Sequence, residues 1–279
     1  MTNNSVSVWV YDDTGVSQIS VQSALVTFKD KLSKHKVSTV QTLSSQDILD
    51  GKLSDKLSNA TGIGILIMPG GADLPYCKKL NGRGNDLIRE FISKGNIYIG
   101  ICAGGYYGAR DIQFSGLHYE KGHKIGYDIN GSRELAFFAG TAIGSIATLT
   151  NEQLYDETVA SKAIVTIDYT NGQQNEMYYH GGAYFVGDAD AVFRVVATYS
   201  DGNNAVISGD VGQGKYLLSG VHFELCPDVY KRYAIEQASA ADVVKEQLLL
   251  STIDHKNYAI LMYQEITKMI EAVCLSQSL

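Results

Sequence analysis

A cysteine set between small residues is the first candidate for chemistry in this sequence. The segment Gly100-Ile101-Cys102-Ala103-Gly104 has the form of a nucleophile elbow, in which a strand turns sharply into a helix and exposes the central side chain. A thiol at the start of a helix is favoured in its thiolate form by the helix dipole. The pattern predicts a nucleophile at Cys102, and the alternative is a buried cysteine in a glycine-rich turn.

A histidine and a glutamate follow the last strand-like run of the chain. His222 and Glu224 stand two positions apart, and in an extended segment side chains two positions apart face the same side. The imidazole can take the proton of a thiol and later protonate the leaving group, while the carboxylate orients the ring. Each residue alone is explained by an ordinary polar or surface role. Their arrival after an elbow cysteine predicts a triad of Cys102, His222 and Glu224.

A glycine turn after the third apolar run offers backbone N–H groups near the elbow. Pro69, Gly70 and Gly71 follow the apolar run at residues 63–68. The N–H group of Ala103, next to the nucleophile, is the other natural donor for an oxyanion. We therefore predict an oxyanion hole formed by Gly70, Gly71 and Ala103, with a simple glycine turn as the alternative.

The elements that must position these residues alternate between strand and helix in the first half of the chain. Continuous apolar runs suit strands that are buried on both faces of a parallel sheet, and apolar stripes at helical spacing separate them. Strands are predicted at residues 6–10, 37–43, 63–68 and 97–101, and helices at 17–32, 46–49 and 85–94. This alternation predicts an α/β fold with a doubly wound, mostly parallel sheet.

The second half of the chain has a different pattern. Antiparallel hairpins and the last strand of the main sheet are predicted from closely spaced strand-like runs at 163–169, 176–180, 192–199, 205–208 and 215–221. From residue 227 onward the spacing is helical, with one apolar face formed by Met262, Ile266, Met269, Ile270 and Val273. We therefore predict a domain at residues 1–228 and a C-terminal helical extension at 229–279, which packs on the domain or forms a dimer contact.

Composition and charge narrow the classes of partner. The formal charge of −7 and the pI near 5.3 argue against nucleic acid and anionic membranes, since both are bound by clustered Lys and Arg. No targeting segment or long apolar run is present in the sequence, and the four cysteines show no metal-binding spacing. We expect reduced thiols, a cytoplasmic location, and neither a metal nor an organic cofactor.

Three motifs in this order, PGG, GxCxG and HxE, resemble those of class I glutamine amidotransferases. Longer strings are similar to the N-terminal domain of eukaryotic biotin-protein ligases, namely MPGGADLPY at 68–76, GICAGGYYG at 100–108, RELAFFAG at 133–140 and HGGAYF at 180–185. The resemblance implies a flavodoxin-like sheet, the triad and the oxyanion site. It does not imply biotinylation, because the catalytic module of the ligase has no counterpart in the sequence, and we expect a free-standing version of the domain.

The sequence departs from the true glutaminases at one position beside the nucleophile. Those enzymes commonly carry a glutamine four residues after the cysteine, and Tyr106 occupies that position here. Glutamine specificity is therefore left open. The strings that carry the resemblance contain Asp73, Tyr76 and His180, which together with Tyr106 are tentative substrate-binding residues.

Two functions from different classes follow from these patterns. The first is an amidase or glutamine-amidotransferase-like hydrolase that acts on a small-molecule amide or acyl substrate through a thioester at Cys102. The second is a binding or regulatory domain with little catalytic activity and a separate protein partner. A redox-sensing thiol is a third interpretation, because one fold carries several chemistries. The sequence leaves the substrate, an ammonia acceptor and the oligomeric state open.

Overall fold

The computed structural model describes residues 5–32, 35–55, 62–253 and 258–277. Its strands are β1 (Ser5–Tyr11), β2 (Lys36–Leu43), β3 (Gly62–Met68), β4 (Ile97–Ile101), β5 (Ala109–Glu120), β6 (His123–Ser132), β7 (Phe138–Gly144), β8 (Lys162–Tyr169), β9 (Gln174–His180), β10 (Tyr184–Gly187), β11 (Arg194–Tyr199), β12 (Asn204–Val211) and β13 (Gly214–Ser219). Its α-helices are α1 (Gln18–Lys31), α2 (Ser45–Leu49), α3 (Lys52–Asp55), α4 (Asp73–Leu80), α5 (Arg83–Ser93), α6 (Ala103–Gly108), α7 (Pro227–Tyr230), α8 (Val243–Ser251) and α9 (Ile260–Ser276).

Nine of these strands form the main sheet, in the order β2-β1-β3-β4-β13-β12-β11-β8-β9. The five strands from β2 to β13 pair in parallel, which is the flavodoxin-like order. The four strands from β12 to β9 continue the sheet antiparallel. The predicted doubly wound α/β fold is confirmed, as are the hairpins and the late strand that closes the parallel part. The antiparallel share of the sheet is larger than the sequence indicated.

Alternate residues of the parallel strands enter two apolar cores, one on each face of the sheet. Val8 of β1 belongs to the core that includes Phe28 of α1. Its neighbour Trp9 belongs to the opposite core, where its ring centroid lies 5.8 Å from that of Phe91 in α5. Because β3 and β4 are adjacent and in register, with Met68 opposite Gly100, the turns that follow them meet at the carboxyl edge of the sheet. That edge therefore carries the Pro69-Gly70-Gly71 turn and the turn around Cys102.

A second sheet of four strands, in the order β10-β7-β5-β6, lies outside the sequence prediction. Its largest part is the long hairpin of β5 and β6, whose tip has positive φ angles at Lys121 and Gly122. Two successive positive φ angles are the signature of a type I′ hairpin turn. Ile112 and Phe114, two positions apart in β5, lie on its inner face, where Ile112 is buried and Phe114 is partly buried. So short an alternation in a largely polar hairpin was a weak signal in the sequence.

The C-terminal helices pack on the main sheet. The predicted apolar stripe is confirmed, since all of its members are buried in the core that contains α1, and these are Met262, Ile266, Met269, Ile270 and Val273. The ring of Tyr263 lies 5.4 Å from that of Phe28. No helix within the described residues is both long and apolar enough to cross a membrane. The boundary at residue 228 stays a prediction, and the segment after it also contributes to the cavity described below.

Candidate active site

Cys102 lies in the turn between β4 and α6, with φ at +50°. A positive φ is uncommon for a residue with a side chain and marks a constrained position. Small neighbours make the turn possible, because a Cβ atom on Gly104 would collide with the carbonyl oxygen of Met68. The N–H group of Cys102 donates to the carbonyl oxygen of Ser219 at 2.8 Å, which ties the turn to β13. The local geometry is that of a nucleophile elbow.

His222 and Glu224 are in direct contact, as the spacing predicted. The His222 Nδ1 atom lies 2.8 Å from Glu224 Oε1, and both residues are buried. The reason for the contact differs from the prediction, because the chain has left β13 by then and turns, with Leu225 N donating to His222 O at 3.3 Å. The side chain of Cys102 also acts on the imidazole, because it contributes to raising the pKa of His222. The three predicted members of the triad are therefore brought together.

The imidazole of His222 is fixed from several sides. Its backbone N–H donates to the carbonyl oxygen of Tyr178 at 2.8 Å, and its carbonyl oxygen accepts from the Tyr258 hydroxyl at 2.5 Å. The ring packs against Gly70, where an added Cβ atom would lie 2.7 Å from His222 Cε1. Gly70 is thus required for the position of the ring.

The charge state of His222 is set by its neighbours. Burial lowers the pKa of His222, but the charge of Glu224, the nearby side chain of Cys102 and the hydrogen bond with Glu224 outweigh it and raise the pKa to about 10. The imidazolium form is therefore favoured at neutral pH. The His222–Glu224 pair therefore places a buried imidazolium on the floor of the cavity that Cys102 also lines.

Sequence reasoning missed Ser20 of α1. The Ser20 Oγ atom donates to Glu224 Oε1 at 2.6 Å and accepts from the N–H group of Gly70 at 2.9 Å. On the same helix face, Ser23 Oγ accepts from Cys226 N at 3.0 Å, and Thr27 Oγ1 donates to Glu224 O at 3.1 Å. Hydroxyl side chains at positions i, i+3 and i+7 within an otherwise apolar helix face were the available signal. This row anchors the segment that carries Glu224.

The three predicted oxyanion donors have different environments. The N–H group of Gly70 is already used by Ser20, so Gly70 supports the triad in this conformation. Gly71 lies opposite Val16 in a β-bridge whose two hydrogen bonds are donated by Ser17 N and Ala72 N. The N–H group of Gly71 itself takes no part in this bridge. A Cβ atom on Gly71, whose φ is +141°, would collide with Gly15 O. Ala103 begins α6, where N–H groups lack intrahelical acceptors. Gly71 and Ala103 remain as candidate donors.

A cavity of about 680 Å³ lies over Cys102. Its floor consists of the triad, the glycine turn and Ser20, and its walls come from the β5–β6 hairpin, residues 155–162 and residues 233–246. Within the described ranges, no cluster of three or more His, Cys, Asp or Glu side chains is arranged to hold a metal ion. The cavity is of the size that holds an ordinary small-molecule ligand.

The four tentative substrate-binding residues separate into two groups. Asp73, Tyr106 and His180 line the cavity, whereas Tyr76 does not. Tyr76 is fully buried, and its hydroxyl donates to the carbonyl oxygens of Pro69 and Gly70 at 3.2 Å each. Tyr76 therefore supports the glycine turn from behind, which the sequence strings could not indicate.

The lining residues Asp73, Tyr106 and His180 are each held by protein partners. Asp73 Oδ2 lies 2.5 Å from Arg133 Nε in a buried ion pair. The Tyr106 hydroxyl donates to Gly181 O at 3.1 Å. Burial, followed by the charge of Lys162, lowers the pKa of His180 to about 3, so its ring is neutral at neutral pH. The carbonyl oxygen of His180 also accepts a hydrogen bond from the Cys102 thiol, with 3.5 Å between Sγ and O.

Known proteins resemble this chain in sequence and in fold. A biotin-protein ligase of Schizosaccharomyces pombe is 29% identical over 228 residues, which cover 78% of this chain and 33% of the ligase. The chain thus spans about a third of that protein's length. An uncharacterized protein of Chlamydia muridarum is 26% identical over 273 residues, 91% of this chain and 100% of the other. The crystal structure of a glutamine amidotransferase superposes with a TM-score of 0.47 at 17% identity, covering 82% of this chain and 97% of the other. The family described as biotin-protein ligase, N terminal, matches residues 6–271, and the chain belongs to that family.

Proposed function

We propose that this protein is a cysteine-dependent amide hydrolase, related to the amidotransferases, that works through a thioester at Cys102. The observation that carries the proposal is an elbow cysteine that lines the same cavity as a buried, hydrogen-bonded His222–Glu224 pair. Nucleophile, base and orienting carboxylate in mutual contact form the arrangement that nucleophilic acyl transfer requires.

The reaction follows from the positions of these groups. The Cys102 sulfur attacks the amide carbonyl carbon and forms an S–C bond, and the carbonyl oxygen becomes an oxyanion. The N–H groups of Gly71 and Ala103 are the donors we assign to that oxyanion. His222 gives its proton to the leaving nitrogen as the C–N bond breaks, so an amine departs and a thioester remains. Water then attacks the thioester carbon while His222 accepts its proton, and the C–S bond breaks, which releases the carboxylic acid and regenerates the Cys102 sulfur.

Ser20 acts in this scheme as a positioning residue. It joins the glycine turn to the triad through a continuous chain of hydrogen bonds, from Gly70 N–H to Ser20 Oγ and from Ser20 Oγ–H to Glu224 Oε1. Because Glu224 orients His222, the serine fixes both the carboxylate and the turn that precedes Gly71. The hydroxyl touches no reacting atom and works through these neighbours.

Free glutamine is not the substrate that we propose. Tyr106 stands one helical turn after Cys102, where the glutaminases commonly carry glutamine, and its hydroxyl is bonded to Gly181 O. The cavity of about 680 Å³ also exceeds what a single amino acid fills. These two features favour a larger amide.

Acyl-enzyme trapping tests the proposal. The wild type and Cys102→Ser are incubated with a panel of p-nitrophenyl esters and p-nitroanilides, and the products are examined by intact mass and peptide mapping. We expect an acyl adduct on Cys102 in the wild type and its loss in Cys102→Ser. Cys77→Ser, which removes a half-buried thiol outside the cavity lining, serves as the matched control and should retain the adduct. The absence of both adduct and product across the panel would contradict hydrolysis.

A binding domain with little catalytic activity is the second candidate. It is favoured by one observation, namely that Ser20 already occupies the N–H group of Gly70 and so reduces the set of oxyanion donors. This function predicts that Cys102→Ser leaves the binding of a ligand or of a separate protein partner intact, while no acyl-enzyme forms in the wild type. If the biological effect of the protein depended strictly on the Cys102 thiol, the binding-domain function would be excluded.

A further inference from the structure

Four aromatic rings form a cluster on one side of the cavity. Phe114 lies at its centre, with its ring centroid 5.7 Å from Tyr106, 6.0 Å from Tyr127 and 5.6 Å from Tyr155. All four side chains line the cavity, and Phe114, Tyr127 and Tyr155 are only partly buried. Partly exposed aromatic rings that line a cavity beside a nucleophile offer a surface that a ligand can cover.

The backbone of the hairpin holds these rings in place. Gly116 of β5 stands opposite Tyr127 of β6, and a Cβ atom on Gly116 would lie 2.8 Å from the Tyr127 ring. Glycine at this position lets the ring lie across the strand. The Tyr155 segment runs beside the same strand, since Leu117 N donates to Tyr155 O at 2.7 Å. The cluster is therefore a consequence of strand register.

The charges around the cavity are mostly negative. Among the described lining residues, five carboxylates stand against one lysine, and they are Asp73, Glu157, Glu224, Asp242 and Glu246. Three of these have a buried cationic partner: Arg133 for Asp73, His222 for Glu224 and Lys162 for Glu246.

Within the part of the chain that the structure describes, Glu157 and Asp242 are the lining carboxylates that have no buried cationic partner. Asp242 meets Lys245 at 3.8 Å on the surface of α8, and such exposed pairs are weak. Glu157 is exposed and lines the same cavity as the aromatic cluster, and burial and then the charge of Glu157 raise the pKa of Tyr127. Negative charge beside aromatic faces is a combination that attracts cations.

We propose, on the basis of the hydrolase function above, that the substrate is an amide carrying a cationic alkylammonium group, which lies against Phe114, Tyr127 and Tyr155 while its carbonyl reaches Cys102. A cation over aromatic faces is attracted by the ring quadrupole. Glu157 complements that charge from the rim. A carboxylate-bearing amide is disfavoured in the same position by repulsion from Glu157 and Asp242.

Three chloroacetamides of similar size test the preference. They carry an N-(2-trimethylammonioethyl), an N-(3,3-dimethylbutyl) or an N-(2-carboxyethyl) group, and the first two are isosteres that differ in charge. Alkylation forms an S–C bond at Cys102 and releases chloride. Peptide mapping verifies that Cys102 is the alkylated residue, and the second-order rate constant of each probe is measured. Each rate constant is divided by that of the same probe with 2-mercaptoethanol, which corrects for its intrinsic reactivity. We expect the cationic probe to exceed its neutral isostere by about 3- to 30-fold, and the anionic probe to be the slowest.

Variants connect the preference to the cluster. Tyr127→Leu and Glu157→Gln should reduce the ratio of cationic to neutral rates toward 1, and circular dichroism verifies that each variant is folded. The matched controls are Tyr119→Leu and Glu120→Gln, which change the exposed end of the same hairpin outside the cavity lining and should keep the wild-type ratio. Equal reduction by the control variants would overturn the assignment to the cluster.

The outcomes separate this inference from the proposed function. If Cys102 reacts in a His222-dependent way but the three normalised rates are equal, the inference falls and the hydrolase proposal stands. If Cys102 reacts with none of the probes, the hydrolase proposal fails. The preference of the aromatic cluster for a cation is then decided by binding affinities. Titration calorimetry of Cys102→Ser with the corresponding unreactive acetamides then measures the affinities. Tighter binding of the trimethylammonio compound than of its neutral isostere supports the aromatic site, and equal affinities overturn it.

Discussion

The floor and the walls of the cavity are built in different ways. The floor is formed at the carboxyl edge of the parallel strands and by α1, and its polar atoms are linked by the hydrogen bonds of Ser20, Gly70, His222 and Glu224. The walls come from the second sheet, residues 155–162 and the C-terminal segment, and they present aromatic rings and carboxylates. We infer that the floor sets the reaction and the walls select the substrate.

A buried ion pair joins helix α8 of the wall to strand β8 of the main sheet. Lys162 Nζ of β8 lies 2.6 Å from Glu246 Oε1 of α8, with both side chains largely buried. Lys162→Met should lower the free energy of unfolding by about 3–5 kcal/mol, because it leaves the Glu246 charge buried without its partner. Urea denaturation measures the loss.

The matched control for Lys162→Met is Arg194→Met. Arg194 of β11 pairs with Glu265 of α9 at 2.8 Å, but the arginine side chain is 52% exposed. Exposed pairs contribute about 0–1 kcal/mol. Equal losses for the two variants would contradict the role of the buried pair in holding the wall to the sheet.

A smaller effect is expected in the floor, at Ser20. Ser20→Ala removes a hydrogen bond from Glu224 and leaves the Gly70 N–H group buried without its partner, which costs about 1–3 kcal/mol of stability. Because Glu224 then orients His222 less firmly, we also expect the pH profile of Cys102 alkylation to change. Ser20→Thr, which keeps the hydroxyl, should restore the profile.

Ser23→Ala is the matched control for the serine. Ser23 lies on the same face of α1 and accepts from Cys226 N instead of bonding Glu224. It should lower stability by a similar amount and leave the pH profile of Cys102 unchanged. A profile altered equally by both variants would show that Ser20 has only a general structural role.

The two cavity histidines should respond to pH in opposite directions. The pKa of His222 is raised from 6.5 to about 10, so its contribution to stability is complete below about pH 6.5 and is lost as the pH rises through 10. The pKa of His180 is lowered to about 3, so its contribution is present above 6.5 and is lost as the pH falls toward 3. Urea denaturation at pH 7 and pH 9.5 should show the stability gap between wild type and His222→Gln narrowing at the higher pH. A gap that stays constant would contradict the raised pKa of His222, and His118→Gln on the exposed hairpin serves as the control.

The floor was largely predictable from the sequence because its motifs are short. An elbow around Cys102 and the two-residue spacing of His222 and Glu224 are local patterns, and apolar runs indicate which strands lie beside one another. The contact between His222 and Glu224 was predicted correctly, although a turn makes it and not strand alternation. Ser20 was missed because its partners lie 50 and 204 positions away.

The walls were not predicted because distant segments form them. The β5 and β6 strands are rich in polar residues on their exposed face, which hides the alternation of Ile112, Phe114, Tyr127 and Ile129. Nothing local to residues 233–246 indicates that they face the hairpin across a cavity. The similar sequence strings also could not indicate where the side chain of Tyr76 points. It lies outside the cavity lining and bonds the carbonyl oxygens of Pro69 and Gly70.

The proposed reaction depends on an activated pair of Cys102 and His222. We would test this pair by the rate of Cys102 alkylation by iodoacetamide between pH 5 and 10, followed by intact mass and peptide mapping in the wild type and in His222→Ala. We predict that Cys102 of the wild type is alkylated at pH 6 about tenfold faster or more than Cys102 of His222→Ala. Equal rates in the two proteins, or a Cys102 that stays unlabelled in both, would contradict it.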